Sequence, residues 1–276
     1  MLDKDYEAVI EGTTEWKGGI ELRKRMSAAL SGKVAYQYTK RTADDWLTWG
    51  GSFGSDPADP AKRWSPWGHA AYDEHALKAN LFTQPTEALT LGFNGSFYTR
   101  DYGDATDTYY GQDSASGFTL GIDADLAISR DWSVFSFYSY DQMKNGNNWN
   151  SSQVESGVHL IDDTKTMAHT VGLGMDLHPE LQPWAFKMQY VYSYEKSETS
   201  NAPDVDYKYH YAEASGAWKV APSWSLVGSV LYGKVDSDDY LRTGSYPGGI
   251  RYDEQRESAN YSAALFFVGV KYDLPM

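Results

Sequence analysis

The segment from 184 to 195, WAFKMQYVYSYE, alternates between two kinds of side chain along its whole length. Its even-numbered positions hold large apolar or aromatic residues, and most of its odd-numbered positions hold small or polar ones. Because successive residues of a strand point to opposite faces, the segment predicts a β-strand with one apolar and one polar face. A tilted strand of about 9–11 residues crosses a bilayer, whereas strands of soluble proteins are mostly shorter. The segment therefore favours a transmembrane β-barrel.

Similar alternation recurs along the chain and predicts twelve strands. They lie near residues 4–12, 17–25, 28–40, 73–84, 88–100, 115–128, 131–143, 166–178, 183–196, 206–220, 223–236 and 258–274. Short turns are predicted near 84–87, 129–131, 178–180 and 221–223, and long polar loops at 41–72, 101–114, 144–165, 199–205 and 237–257. Outer-membrane barrels combine short periplasmic turns with long extracellular loops.

We therefore predict an all-β, antiparallel up-and-down transmembrane barrel of about twelve strands in a bacterial outer membrane, forming a single domain over residues 1–276. Two other all-β folds fit less well. A β-propeller also repeats at about 40–45 residues, but each blade has four short strands rather than two long ones. A soluble β-sandwich would leave aromatic faces such as that of 184–194 in water, where they promote aggregation.

Composition excludes several functions. The 276 residues include no Cys, so this chain carries no disulfide, thiolate metal site or covalent attachment for c-type haem. A net charge of −14 argues against nucleic-acid binding. Mean hydropathy is −0.57 and no apolar run suits a helical membrane span. Residues 1–5 do not resemble a signal peptide, so we expect a mature or engineered start, or a fragment.

Two sets of side chains are expected to face different surroundings. Polar residues on the inward side of the strands are predicted to face a wet or plugged lumen. These are Lys33, Asn94, Arg100, Asp123, Asp125, Asp176, Lys187, Gln189, Glu195, Glu213, Lys219 and Lys271. Amphipathic aromatic residues on the other side are predicted to lie at the membrane interfaces. These are Trp132, Trp184, Tyr190, Tyr192, Tyr194, Trp224 and Tyr232.

No catalytic, cofactor-binding or metal-binding constellation stands out. The six His residues are scattered, and the acidic clusters in the loops lack the regular ligand spacing of a calcium loop. A non-enzymatic membrane protein is therefore expected. An outer-membrane hydrolase stays open as a different class, although no particular Ser or His points to it.

From residue 131 onward the sequence resembles the C-terminal part of the MtrB/PioB family. The segments that carry the resemblance include WSVFSFYSYD (132–141), MAHTVGLGMD (167–176), YVYSY (190–194), DYKYH (206–210), DSDDY (236–240) and VGVKY (268–272). The resemblance implies an outer-membrane barrel that sheathes a multihaem c-type cytochrome in a conduit for extracellular electron transfer. It also implies that the haems belong to the partner. Family members are more than twice as long and are thought to form wider barrels.

Barrel width leaves a second function open. Twelve closed strands give a backbone radius of roughly 12 Å and a lumen of about 12–15 Å, too narrow for a folded multihaem domain. The chain is then part of a wider barrel, a shortened relative, or a small general porin for ions or small solutes.

Overall fold

The computed structural model describes residues 13–43, 47–48, 63–65, 71–102, 110–149, 163–199, 202–237 and 260–273. These residues form thirteen strands: β1 (Thr13–Arg25), β2 (Leu30–Ala43), β3 (Leu47–Thr48), β4 (Arg63–Ser65), β5 (Tyr72–Thr83), β6 (Leu89–Asp101), β7 (Tyr110–Ala127), β8 (Trp132–Trp149), β9 (Thr164–Leu177), β10 (Trp184–Thr199), β11 (Ala202–Ala221), β12 (Trp224–Ser237) and β13 (Tyr261–Tyr272). None of the described residues belongs to a helix with the length and apolarity needed to cross a membrane.

The eleven long strands form one antiparallel up-and-down sheet in the order β1-β2-β5-β6-β7-β8-β9-β10-β11-β12-β13. The two short strands pair with each other, and β4 also pairs in parallel with the start of β7. The predicted all-β, antiparallel up-and-down architecture is confirmed. The predicted strand at 4–12 lies outside the described residues.

The sheet is open among the described strands. Its two edges are β1 and β13, which do not pair with each other there. Because ten antiparallel steps separate them, these two edge strands run in the same direction. Both edges are highly exposed, with Val268 of β13 at 84% of its full accessible surface. The eleven long strands agree with the predicted barrel of about twelve, one of whose strands, at 4–12, lies outside the described residues; closure of the sheet is not seen among the described strands.

The short turns lie where they are predicted, but one loop prediction is wrong. Residues 199–205 do not form a long loop, because Thr199 pairs with Ala202 and only two residues separate β10 from β11. Thr199 and Asp204 are polar and suggested a loop, yet they lie in β10 and β11. Just before them, Lys165 Nζ lies 3.2 Å from Glu198 Oε2 across β9 and β10. The predicted loops at 101–114 and 144–165 are also shorter, since β7 and β8 extend into them.

One face of the sheet is apolar and lacks any protein layer over it among the described residues. Among the described residues, only Ala76, Ala115 and Val205 are buried hydrophobic residues, and all three lie on the opposite face. Large apolar side chains such as Leu173 remain 58% exposed on the same face as Tyr138 and Tyr190. Soluble proteins rarely expose a continuous apolar surface of this kind. We call this the outer face and the opposite, more polar one the inner face.

Candidate functional site: the inner face of the sheet

The strand register brings the predicted lumen residues to the inner face. Directly opposite residues of antiparallel neighbours share a face, so Lys187 lies beside Asp176, and Gln189 beside Glu213. The same ladder carries all the others to this face: Lys33, Asn94, Arg100, Asp123, Asp125, Glu195, Lys219 and Lys271. That this face lines a lumen stays a prediction.

Arg100 is the centre of a charged and aromatic cluster near the long-loop end of the inner face. Its Nε donates a hydrogen bond to Glu74 Oε2 at 3.0 Å. The guanidinium groups of Arg100 and Arg41 each lie 4.4 Å from the centre of the Tyr72 ring. Tyr72 in turn donates a hydrogen bond to Glu15 at 3.2 Å. Cation–π contacts and ion pairs of this kind hold four strands together while leaving a polar surface.

A second polar cluster joins β10 and β11 in the middle of the inner face. Gln189 Nε2 donates to Glu213 Oε2 at 2.9 Å, and the Tyr211 hydroxyl donates to the same oxygen at 2.7 Å. On the β9 side, the hydroxyls of Thr170 and Ser193 lie 2.9 Å apart. These neutral and charged groups pair with one another across strands, as expected of a hydrated face.

Glycine and phenylalanine pack together where β8 meets β9. Phe135 and Phe137 lie on the inner face, opposite Gly174 and Gly172 respectively. A methyl group at either glycine would overlap the facing ring. The side of these two rings could not be predicted from β8 alone, because β8 carries aromatic residues on both faces and only the register with β9 decides their side.

The predicted interface aromatics all lie on the outer face. Trp132, Trp184 and Trp224 are the first residues of β8, β10 and β12, at the short-turn edge. Trp184 lies opposite Trp218, and the rings of Trp224 and Tyr272 are 4.6 Å apart. The remaining predicted residues of this set, Tyr190, Tyr192, Tyr194 and Tyr232, lie further along their strands on the same face. Their contact with a membrane interface stays a prediction.

The outer face carries several candidate functional residues that the sequence pattern alone does not reveal. Three His residues there, His75, His169 and His210, lie within hydrogen-bond distance of tyrosine hydroxyls on neighbouring strands. The signal was present as Tyr-x-Tyr on one strand and His on the next, but it appears only once the register is known. Among the described residues, no group of three His, Asp or Glu side chains is placed to hold a metal ion.

Solved structures with the same fold are outer-membrane proteins. The siderophore receptor PirA from Acinetobacter baumannii matches with a TM-score of 0.60 and 11% identity, over 82% of this chain and 37% of the receptor. The alcaligin receptor FauA from Bordetella pertussis matches with a TM-score of 0.56 and 10% identity, over 95% and 39%. The copper transporter OprC matches with a TM-score of 0.57 and 10% identity, over 96% and 43%. The chain thus spans less than half the length of these proteins.

Sequence comparison identifies the family. The chain matches none of the curated proteins with which it was compared. The sequence profile of the outer-membrane β-barrel porins MtrB/PioB, however, matches residues 2–274. This match extends the resemblance seen over 131–276 to nearly the whole chain, and it agrees with the outer-membrane fold of the structural neighbours. The chain belongs to the MtrB/PioB family of outer-membrane β-barrel porins.

Proposed function

We propose that the sheet is part of the wall of a wide outer-membrane barrel that holds a multihaem c-type cytochrome and insulates it for electron transfer across the membrane. The observation that carries the proposal is the open sheet, whose inner face is the more polar one and whose two edges do not pair with each other among the described residues. The haems belong to the partner, because a chain without Cys cannot attach c-type haem covalently.

A sheet whose two edges are unpaired can form part of a barrel that is wider than twelve closed strands allow. Strands about 4.8 Å apart and tilted by about 40° give a closed barrel of twice as many strands a radius of roughly 22 Å. Side chains leave such a barrel with space for a folded domain, as in the large outer-membrane barrels that enclose a plug. The structural neighbours, which are more than twice as long as their matched regions, support a wall of this size.

The inner face suits a scaffold rather than a redox centre. Of the four described His residues, three lie on the outer face, and His178, in a short turn, has its Nε2 2.6 Å from Asp176 Oδ1 at the short-turn end of the inner face. The strands that are described thus place no imidazole in the middle of the inner face. Its polar groups instead form short cross-strand hydrogen bonds, such as that from Gln189 to Glu213. A hydrated, mutually paired surface can contact a protein partner without burying unpaired charges.

The first test is retention of haem protein by the tagged chain. When the chain is expressed in an outer membrane with a candidate multihaem cytochrome, we expect both to elute together. Ser215→Trp places a large ring on the inner face and is expected to reduce haem per barrel about tenfold, or roughly 1.4 kcal/mol. Ala214→Trp is the matched control, because the neighbouring residue points to the outer face. Equal retention by both variants, or none by the unmodified chain, would contradict the proposal.

The second test measures the distance between the two sheet edges. Spin labels at Ile20→Cys in β1 and Val268→Cys in β13 need no other substitution, because the chain has no native Cys. In a wide wall of which eleven strands form about half, we expect a separation of about 40 Å. In a narrow barrel the edges pair directly or through one further strand, within about 15 Å. A short distance with steady single-channel conductance would instead support the small porin.

A further inference from the structure

Three pairs of tyrosine and histidine repeat the same geometry on the outer face. In each pair the tyrosine hydroxyl lies beside Nδ1 of a histidine on the next long strand. The distances are 2.7 Å for Tyr36 and His75, 2.8 Å for Tyr138 and His169, and 2.7 Å for Tyr190 and His210.

A second tyrosine completes each arrangement. It lies two residues further along the strand and directly opposite the same histidine. The ring centres are 5.2 Å apart for Tyr38 and His75, 4.8 Å for Tyr140 and His169, and 5.0 Å for Tyr192 and His210. We call each set of two tyrosines and one histidine a Tyr–His cluster. Packing within the protein does not explain why the Tyr–His cluster occurs three times, because its rings lie on the outer face.

The three clusters share one level along the sheet. Tyr38, Tyr140 and Tyr192 each lie eight residues after the first residue of β2, β8 and β10. Eight residues of a strand tilted by about 40° rise roughly 21 Å, close to the ~25 Å apolar band of outer-membrane barrels. Trp132 and Trp184 begin two of these strands, so the clusters lie at the interface opposite the tryptophans, on the long-loop side.

The hydrogen bond from tyrosine to histidine determines which imidazole nitrogen of each cluster carries a proton. A tyrosine hydroxyl that donates to Nδ1 leaves the imidazole proton on Nε2, which is then an N–H donor on a ring that is exposed at His75 and His169 and half-buried at His210. Positive charge lies just beyond the first and third clusters, because Lys40 and Lys208 occupy the same face two residues nearer the long loops, although Asp73 and Asp206 lie on that face as well. The phosphates and carbonyls of lipid at this depth accept hydrogen bonds and so can bind such a donor.

The first cluster also lines a cleft. Its volume is about 750 Å³, and Tyr36, Tyr38, His75 and Thr99 form one side of it. Asp73 in the same cleft accepts a hydrogen bond from the Tyr38 hydroxyl, and its Oδ1 lies 3.9 Å from Lys40 Nζ. Both partners offset part of the negative charge of Asp73, but Asp101 lines the cleft as well, so the cleft itself is acidic and does not favour an anion.

We propose that the three Tyr–His clusters bind the phosphate groups of the surrounding outer-leaflet lipid through histidine Nε2–H. The clusters would thereby fix the depth and rotation of the sheet in the membrane. This inference does not depend on a cytochrome partner, because it concerns only the outer face.

Magic-angle-spinning NMR tests the contact directly. The complete chain, labelled with ¹⁵N in histidine, is reconstituted in phosphatidylglycerol vesicles, and single His→Phe variants assign the three signals. A hydrogen bond of about 2.9 Å to a phosphate oxygen places nitrogen and phosphorus about 4 Å apart. We therefore expect ³¹P to dephase the Nε2 signals of His75, His169 and His210. Absence of dephasing at all three would overturn the proposal.

Two controls distinguish lipid binding from binding of a free anion and test the role of the tyrosines. In detergent micelles, inorganic phosphate is expected to leave the three Nε2 shifts unchanged, and an equal response to the free anion would refute specific lipid binding. Combined substitution of Tyr36, Tyr138 and Tyr190 by Phe is expected to reduce dephasing at least twofold, because the tautomer is no longer held. Tyr232→Phe removes a hydroxyl on the same face and is expected to have no effect. Equal losses in both variants would overturn the assigned role of the tyrosines.

Discussion

Replacing Leu173 with arginine is expected to lower the free energy of unfolding in lipid vesicles by about 2–4 kcal/mol. Leu173 is 58% exposed on the outer face, four residues from the end of β9 on the tryptophan side and four from His169. It therefore lies near the middle of the apolar band, where a guanidinium loses its hydration and finds no counter-charge. Large losses of this kind are confined to the lipid-facing side of a barrel.

Gln189→Arg is the matched control for the charge. Gln189 lies on the adjacent strand β10, opposite Gly174 on the inner face, and its amide already bonds to Glu213. An arginine there keeps a carboxylate partner and contact with water, so we expect a change below about 1 kcal/mol. Denaturant titration in vesicles, followed by tryptophan fluorescence, measures both variants. If Leu173→Arg and Gln189→Arg lower the free energy of unfolding by the same amount, the assignment of outer and inner faces is wrong.

The second large effect is expected at Gly172. A Cβ at this position would overlap the Phe137 ring, which lies across it from β8. Forcing extra volume into such a contact costs about 1–3 kcal/mol, because the ring or the strand must move. We therefore expect Gly172→Ala to lower the free energy of unfolding by that amount in the same titration.

Two further variants isolate the cause. Gly233→Ala adds the same methyl group to an inner-face strand position with no atom within 4 Å, so we expect a change within about 0.5 kcal/mol. Combining Gly172→Ala with Phe137→Leu is expected to recover part of the loss, which a double-mutant cycle quantifies. A full loss in the double variant would show that the ring is not the obstacle.

Strand positions could be predicted from the sequence because a half-buried strand has a period of two. The alternation at 184–194 marks β10, and Pro179 marks the short turn that precedes it. The ends of the strands on the long-loop side were harder to predict from the sequence. There β10 and β11 extend beyond the apolar band into water, and residues such as Glu198 then look like loop residues although they remain in the ladder.

Features that depend on two strands could not be predicted from one. The Tyr–His clusters need the offset between β2 and β5, or between β8 and β9, which the residues of a single strand do not determine. The side occupied by Phe135 and Phe137 depended in the same way on the facing glycines. The prediction of a narrow lumen depended on the closure of twelve strands into a barrel, and the open sheet does not require that closure.

The shared direction of β1 and β13 restricts how the wall can be completed. Two copies of the eleven-strand sheet joined edge to edge would meet in parallel at both seams, unlike every junction between the long strands. Parallel pairing is slightly weaker, and bacterial outer-membrane barrels built from one chain have even strand numbers. A symmetric homodimer of the described strands is thus disfavoured, and an antiparallel seal calls for an odd number of additional strands between the two margins.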